Sequence, residues 1–170
     1  MELTCTTVYS RKAMAAMGKA LRKTTRKKSS RRSRVLGWIL IVICLLAVLD
    51  PQKATWIRVA DGVALALLLA GQLGEDVIGA FFTKRHAMPG MEEGHFTFLP
   101  DCYESRITGA VTRWQYDTIQ DLVEIGDYIV LVLGKNHAQA CEKSGIQGGS
   151  PEELETFLEN KTGRKVLQIR

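Results

Sequence analysis

Residues 35–49, Val35 to Leu49, read VLGWILIVICLLAVL and contain no charged and almost no polar side chain. As a helix the run would reach roughly 22 Å, a minimal crossing of a hydrocarbon core about 30 Å thick. Its apolar residues occupy every helical face, with none of the amphipathic striping of a helix laid on a soluble core. Arg34 can snorkel at one end, and Asp50-Pro51 closes the other. Two other readings compete. A signal peptide would begin nearer Met1 and carry a small-residue cleavage site, which this stretch lacks. A soluble hairpin buried in a core is the stronger rival, because the run is short.

Outward on the C-terminal side, Gly62 to Gly74 (GVALALLLAGQLG) forms a second apolar run, interrupted by Gln72. Hydrophobicity resumes at Val77 and reaches Phe82, ahead of Lys84-Arg85-His86. The expected span covers about 57–82, with Arg58 and Asp61 one helical turn apart near one interface. Glu75 and Asp76 then lie near the other interface or face a helix partner. Trp38 and Trp56 fall where interfacial aromatics usually sit. Charges within a span are costly in lipid, so Arg58, Asp61, Glu75 and Asp76 either mark a pathway or sit at the two interfaces.

Outward on the N-terminal side, eleven Lys and Arg residues lie between Arg11 and Arg34, and no acidic residue occurs between Glu2 and Asp50. The rest of the chain is net acidic although the whole carries +5. The loop between the two apolar runs offers only Lys53 and Arg58, so the positive-inside rule places both chain ends in the cytoplasm of a multi-pass protein. Met14, Met17 and Leu21 recur at helical spacing among the cations, the pattern of a basic amphipathic helix at a membrane surface. The residues expected to meet anionic headgroups are Lys19, Arg22, Lys23, Arg26, Lys27, Lys28, Arg31, Arg32 and Arg34. The same block read as a topology signal alone is an equal alternative. Nucleic acid is disfavoured as a partner, because no aromatic residue between Tyr9 and Trp38 is available to stack on bases.

Beyond residue 92 the pattern changes to short strands separated by turns. Expected strands run 95–99, 103–107, 111–116, 119–125, 128–133 and 137–142, with Gly126-Asp127 and Gly134-Lys135-Asn136 as turns. Residues 2–9 (ELTCTTVY) are rich in β-branched side chains and are expected to add a strand to this sheet. Ser150, Pro151 and Glu153 spell a capping box, followed by an apolar stripe at Leu154, Phe157 and Leu158 and a C-cap at Gly163. The chain therefore divides into 1–34, a strand and basic segment; 35–83, a hairpin of spans at about 35–50 and 57–82; and 92–170, a β domain with a closing helix at 151–162. The fold class is an α+β membrane protein: a two-helix transmembrane hairpin plus a small antiparallel β domain.

Chemistry-bearing motifs are sparse. Cys5, Cys44, Cys102 and Cys141 are far apart and without CxxC spacing, which suits reduced thiols. His86, His95 and His137 have no ligand spacing for a metal. No nucleophile elbow is present, and Gly145, Gly148 and Gly149 lack the GKS or GKT step of a phosphate loop. The reading is thus of no catalytic, cofactor or metal residues, and of a protein that is not an enzyme.

One resemblance gives the C-terminal half an architecture. Phe96, Trp114-Gln115-Tyr116-Asp117-Thr118-Ile119, Val123-Glu124, Asp127-Tyr128-Ile129-Val130-Leu131, Lys135-Asn136-His137-Ala138 and the helix from Glu152 to Gly163 occur in order. This succession resembles the YcxB-like family of bacterial membrane proteins, departing from it at Cys141-Glu142-Lys143, where that family more often has an apolar-Pro-Lys step. The resemblance implies an N-terminal strand, two transmembrane helices and a domain similar to a bacterial pleckstrin-homology fold. The functional expectation is a non-catalytic binding or scaffold module anchored in the membrane, with anionic lipid, a protein on the cytoplasmic domain, or a second copy as partners. The alternative is a subunit of an oligomeric transporter or channel that uses Asp61, Glu75 or Asp76.

Overall fold

A computed structural model describes residues 3–49, 52, 54–74, 93–107 and 109–169. The ends of the expected second span (75–82), Glu75, Asp76 and His86 lie outside the described residues.

The described elements are β1 (Leu3–Val8), α1 (Arg11–Lys23), α2 (Lys27–Leu49), α3 (Thr55–Leu73), β2 (Glu93–Phe98), β3 (Cys102–Ile107), β4 (Ala110–Gln115), β5 (Asp121–Ile125), β6 (Tyr128–Gly134), β7 (His137–Glu142), β8 (Ile146–Gln147), α4 (Pro151–Thr162) and β9 (Val166–Gln168). The fold is α+β, and α2 and α3 are long and apolar enough to cross a membrane.

Two sheets form. The first has the order β4-β3-β2-β1-β8 and the second β7-β6-β5-β9. β1 joins the first sheet as expected, pairing antiparallel with β2 from Leu3↔Phe98 to Val8↔Glu93 and with β8 at Cys5↔Ile146. Gly145 permits that approach, because a Cβ there would collide with the Thr6 carbonyl oxygen. β8 and β9 were not legible as strands. β9 also makes the second sheet mixed rather than purely antiparallel, since it runs parallel to β5 at Leu122↔Val166. The intervening α4 supplies the crossover a parallel pair needs, and Gly163 at φ 66° turns the chain back.

Alternation along the second sheet gives it two apolar faces. Leu122, Ile129, Leu131 and Cys141 point toward the first sheet, where they meet Phe96, Phe98, Tyr103 and the buried Leu154 and Leu158 of α4. Val123, Val130, Val132 and Ala140 point the other way, and α1 covers them with Ala13, Ala16 and Ala20. Buried polar groups tie the two sheets together. The amide of Glu142 donates to Thr7 Oγ1 at 2.8 Å, and the Tyr103 hydroxyl donates to Gln139 Oε1 at 3.0 Å.

α4 starts as the sequence foretells. Ser150 Oγ accepts from the Glu153 amide at 3.2 Å, and Glu153 Oε2 accepts from the Ser150 amide at 2.9 Å.

Candidate functional site

The nine cations singled out in the sequence are divided among α1, the connection after it and α2. Lys19, Arg22 and Lys23 ride on α1, whose apolar side rests on protein. Met14 and Met17 pack against the core between the sheets, and Met17 and Leu21 against the α1-covered face. The expectation that this apolar stripe lies on a membrane is therefore corrected. Small residues at Ala13, Ala16 and Ala20 let the helix settle close to the valine-rich face of β5 and β6, which otherwise meets water.

Arg26 has a different task. Its Nε–H donates to the Lys135 carbonyl oxygen at 2.8 Å, and its Nη2 donates to Asn136 Oδ1. The guanidinium thus fastens the connection between α1 and α2 onto the β6–β7 turn. Nothing local in the sequence marks this contact, because its two sides are more than a hundred residues apart.

Lys27, Lys28, Arg31, Arg32 and Arg34 lie inside α2, which begins at Lys27 and not at the apolar run. The helix therefore carries its cations and its apolar length on one continuous rod. Lys and Arg are good helix formers, and nothing between Ser33 and Leu36 interrupts the turn-by-turn hydrogen bonding. Lys28, Arg31, Arg32, Val35 and Leu36 bound an open cavity of about 460 Å³.

α2 packs on α3 to make a hairpin. Gly37 and Gln72 occupy the same level, and the Gln72 side-chain Nε2–H donates to the Arg34 carbonyl oxygen at 3.4 Å. Ile41 is the one buried apolar residue of α2, and α3 has none among the described residues. Most other large apolar side chains of the two helices are exposed, with Leu46 at 64 % and Leu67 at 68 %. Arg58 and Asp61 lie in the first two turns of α3, at the end of the hairpin near its connection.

The β domain holds few reactive clusters. Cys5 and Cys141 are both buried where β1 meets β7; contact with the Cys5 thiol and burial hold the Cys141 thiol well above its ordinary pKa. Lys143 forms an ion pair with Glu124, which raises its pKa. Glu155 nearby is raised by partial burial and by Glu124. His137 stacks on Trp114 with ring centroids 5.2 Å apart. A groove of about 470 Å³ beside α4 is lined by Leu3, Phe157, Glu152, Glu153, Thr156 and Asn160. Among the described residues no three His, Cys, Asp or Glu side chains converge on a metal position.

The arrangement with the most chemical definition is thus the head of α2, where fixed cations pass directly into an exposed apolar rod. Comparison with family models, with curated proteins and with solved structures gives no match.

Proposed function

We propose that the chain is a membrane-anchored, non-catalytic interaction module: the α2–α3 hairpin crosses the bilayer, and the β domain is held at its cytoplasmic face. The observation that carries this reading is the exposure of the hairpin. Two helices of 23 and 19 residues leave most of their large apolar side chains exposed. A contiguous apolar surface of that extent needs a nonpolar medium or a partner.

The sheet supports the topology independently of charge. β1 precedes the hairpin and β2 follows it, yet they pair over six residues each. A chain so paired has both ends of its hairpin on one side of the membrane. The eleven basic residues ahead of the apolar run make that side the cytoplasm by the positive-inside rule.

The pleckstrin-homology-like and YcxB-like resemblance enters this reading as an expectation from the sequence. We read the domain as the part that meets a protein or a second copy, and the head of α2 as the part that meets lipid. In the transporter alternative Asp61 would line a path; its place in the first two turns of α3 favours an interfacial position instead.

Alkaline carbonate washing of membranes, followed by protease protection from each side, tests the reading. Retention in the washed membrane, with the β domain cut only from the cytoplasmic face, is the expected result. Release into the wash would sink it.

A further inference from the structure

The two sides of α2 differ in what they meet. Gly37 and Ile41 lie on the side packed against α3, where Gly37 faces Gln72. Each residue advances a helix by about 100°, so the opposite side carries Lys28, Arg31 and Arg32 and then Val35, Ile39 and Val42. Those three aliphatic side chains are 50–53 % exposed. The apolar continuation from Val35 to Leu46 measures about 16 Å along the axis, the depth of one leaflet of a hydrocarbon core about 30 Å thick.

Charge and shape agree along this stripe. Three cations lie within five residues on one face of a helix. Arg31 and Arg32 present the planar, two-pronged donors that suit a phosphate group. Lys28, Arg31 and Arg32 line the same open cavity as Val35 and Leu36, so their aliphatic stems and the apolar run form one continuous wall. The remaining cations are placed differently: Arg26 is fastened to the β6–β7 turn, Lys19, Arg22 and Lys23 belong to a helix laid on the second sheet, and Lys27 and Arg34 fall by the same step of about 100° toward the α3 side of α2.

Resting on the membrane reading above, we infer that this stripe is a discrete site for one anionic phospholipid. Its phosphate lies on Arg31 and Arg32, with Lys28 as a further cation at the rim, and an acyl chain lies along Val35, Ile39 and Val42. A free phosphate ion shares the head chemistry but cannot use the aliphatic half. The inference is narrower than general attraction of a basic segment to a charged surface, because it assigns the binding to three of the nine cations.

The test uses the full chain in nanodiscs of phosphatidylcholine containing a minor fraction of phosphatidylglycerol, with retained lipid counted by native mass spectrometry. The chain is expected to keep one phosphatidylglycerol. The R31Q/R32Q variant should retain it roughly 25-fold less well, about five-fold per charge removed. The K19Q/K23Q variant, with the same loss of net charge, should retain it as the parent does. Equal losses in both double variants would overturn the site in favour of diffuse attraction. Inorganic phosphate is titrated in pure phosphatidylcholine discs as the other arm; binding that depends on Arg31 and Arg32 and is as tight as that of phosphatidylglycerol would overturn the lipid assignment. Failure of the membrane reading has a separate signature, since the parent chain would then leave carbonate-washed membranes, whereas R31Q/R32Q should stay in them.

Discussion

Gly37 of α2 and Gln72 of α3 fill one shared space: a Cβ on Gly37 would collide with the Gln72 side-chain amide. The glycine therefore lets a polar side chain enter the seam of an otherwise apolar hairpin, where it reaches the Arg34 carbonyl oxygen. Replacing Gly37 by Leu should expel the flexible end of Gln72, at a cost of about 1 kcal/mol, rising toward about 3 kcal/mol where the helices must part. Thermal unfolding in detergent and crosslinking between cysteines placed on α2 and α3 would register it. Gln72→Ala should cost less, near 0.6 kcal/mol, the average for a hydrogen bond between membrane helices. A Gly37→Leu chain as stable as its parent would refute the seam.

Arg26 links the head of the hairpin to the β domain. Arg26→Gln shortens the reach to Lys135 and Asn136 and removes a charge-assisted contact, so stability should fall by about 1.5–3 kcal/mol at most. The more specific outcome is local: amide exchange should rise at Lys135, Asn136 and His137 while the strands β5 and β6 keep their protection. Uniformly faster exchange across the domain would assign Arg26 to global stability instead.

Thr7 is fully buried, and its hydroxyl oxygen receives the amide of Glu142 from the other sheet. Thr7→Val preserves the shape but leaves that N–H unpaired, which should cost about 1–3 kcal/mol. Thr7→Ser keeps the acceptor and should retain most of the stability. The Tm order parent, Ser, Val is the expected result; a Val variant equal to Ser would show that water or a neighbour satisfies the amide.

Glu155 gives a pH dependence whose sign is fixed by its surroundings. Partial burial, with Glu124 adding to it, raises its pKa in the folded chain. A group raised on folding adds stability below its unfolded pKa and loses that contribution as pH rises through its folded value. Glu155 is therefore a cost at neutral pH, and Glu155→Gln should raise the Tm at pH 7 and flatten the decline above about pH 4, near the ordinary carboxylate range. Removing Lys143, whose charge opposes the rise, should push the Glu155 pKa higher and move that decline upward in pH. A Tm profile from acid to neutral pH for the three chains measures both effects.

The elements that the sequence revealed are those specified by local chemistry. The capping box of Ser150 and Glu153 predicts α4, and turn residues at Gly126 and Gly134 bracket β6. The elements it hid depend on distant partners. β8 is two residues long and exists because β1 offers it an edge. β9 needs β5, which only the crossover through α4 brings alongside. At α1, the alternation of Lys, Met and Leu gave the amphipathic helix correctly, but the medium it faces was set by three alanines with little hydrophobic signal of their own. Apolarity alone placed the first span at Val35, whereas helix geometry starts α2 at Lys27 and so divides the basic segment into α1 cations, a clamp and a helix head.

β1 sits between β2 and β8 although roughly 85 residues of chain separate it from β2. At synthesis rates of about 5–20 residues per second, the strand waits on the order of 4–17 seconds for its neighbour to be made. During that interval the hairpin is delivered to its medium while the first sheet still lacks an interior member. Assembly of the β domain is thereby a late event that closes over an already committed hairpin. A shortened chain starting at Glu93 lacks the interior strand β1 and should fold only when residues 3–8 are supplied as a separate peptide or grafted ahead of it.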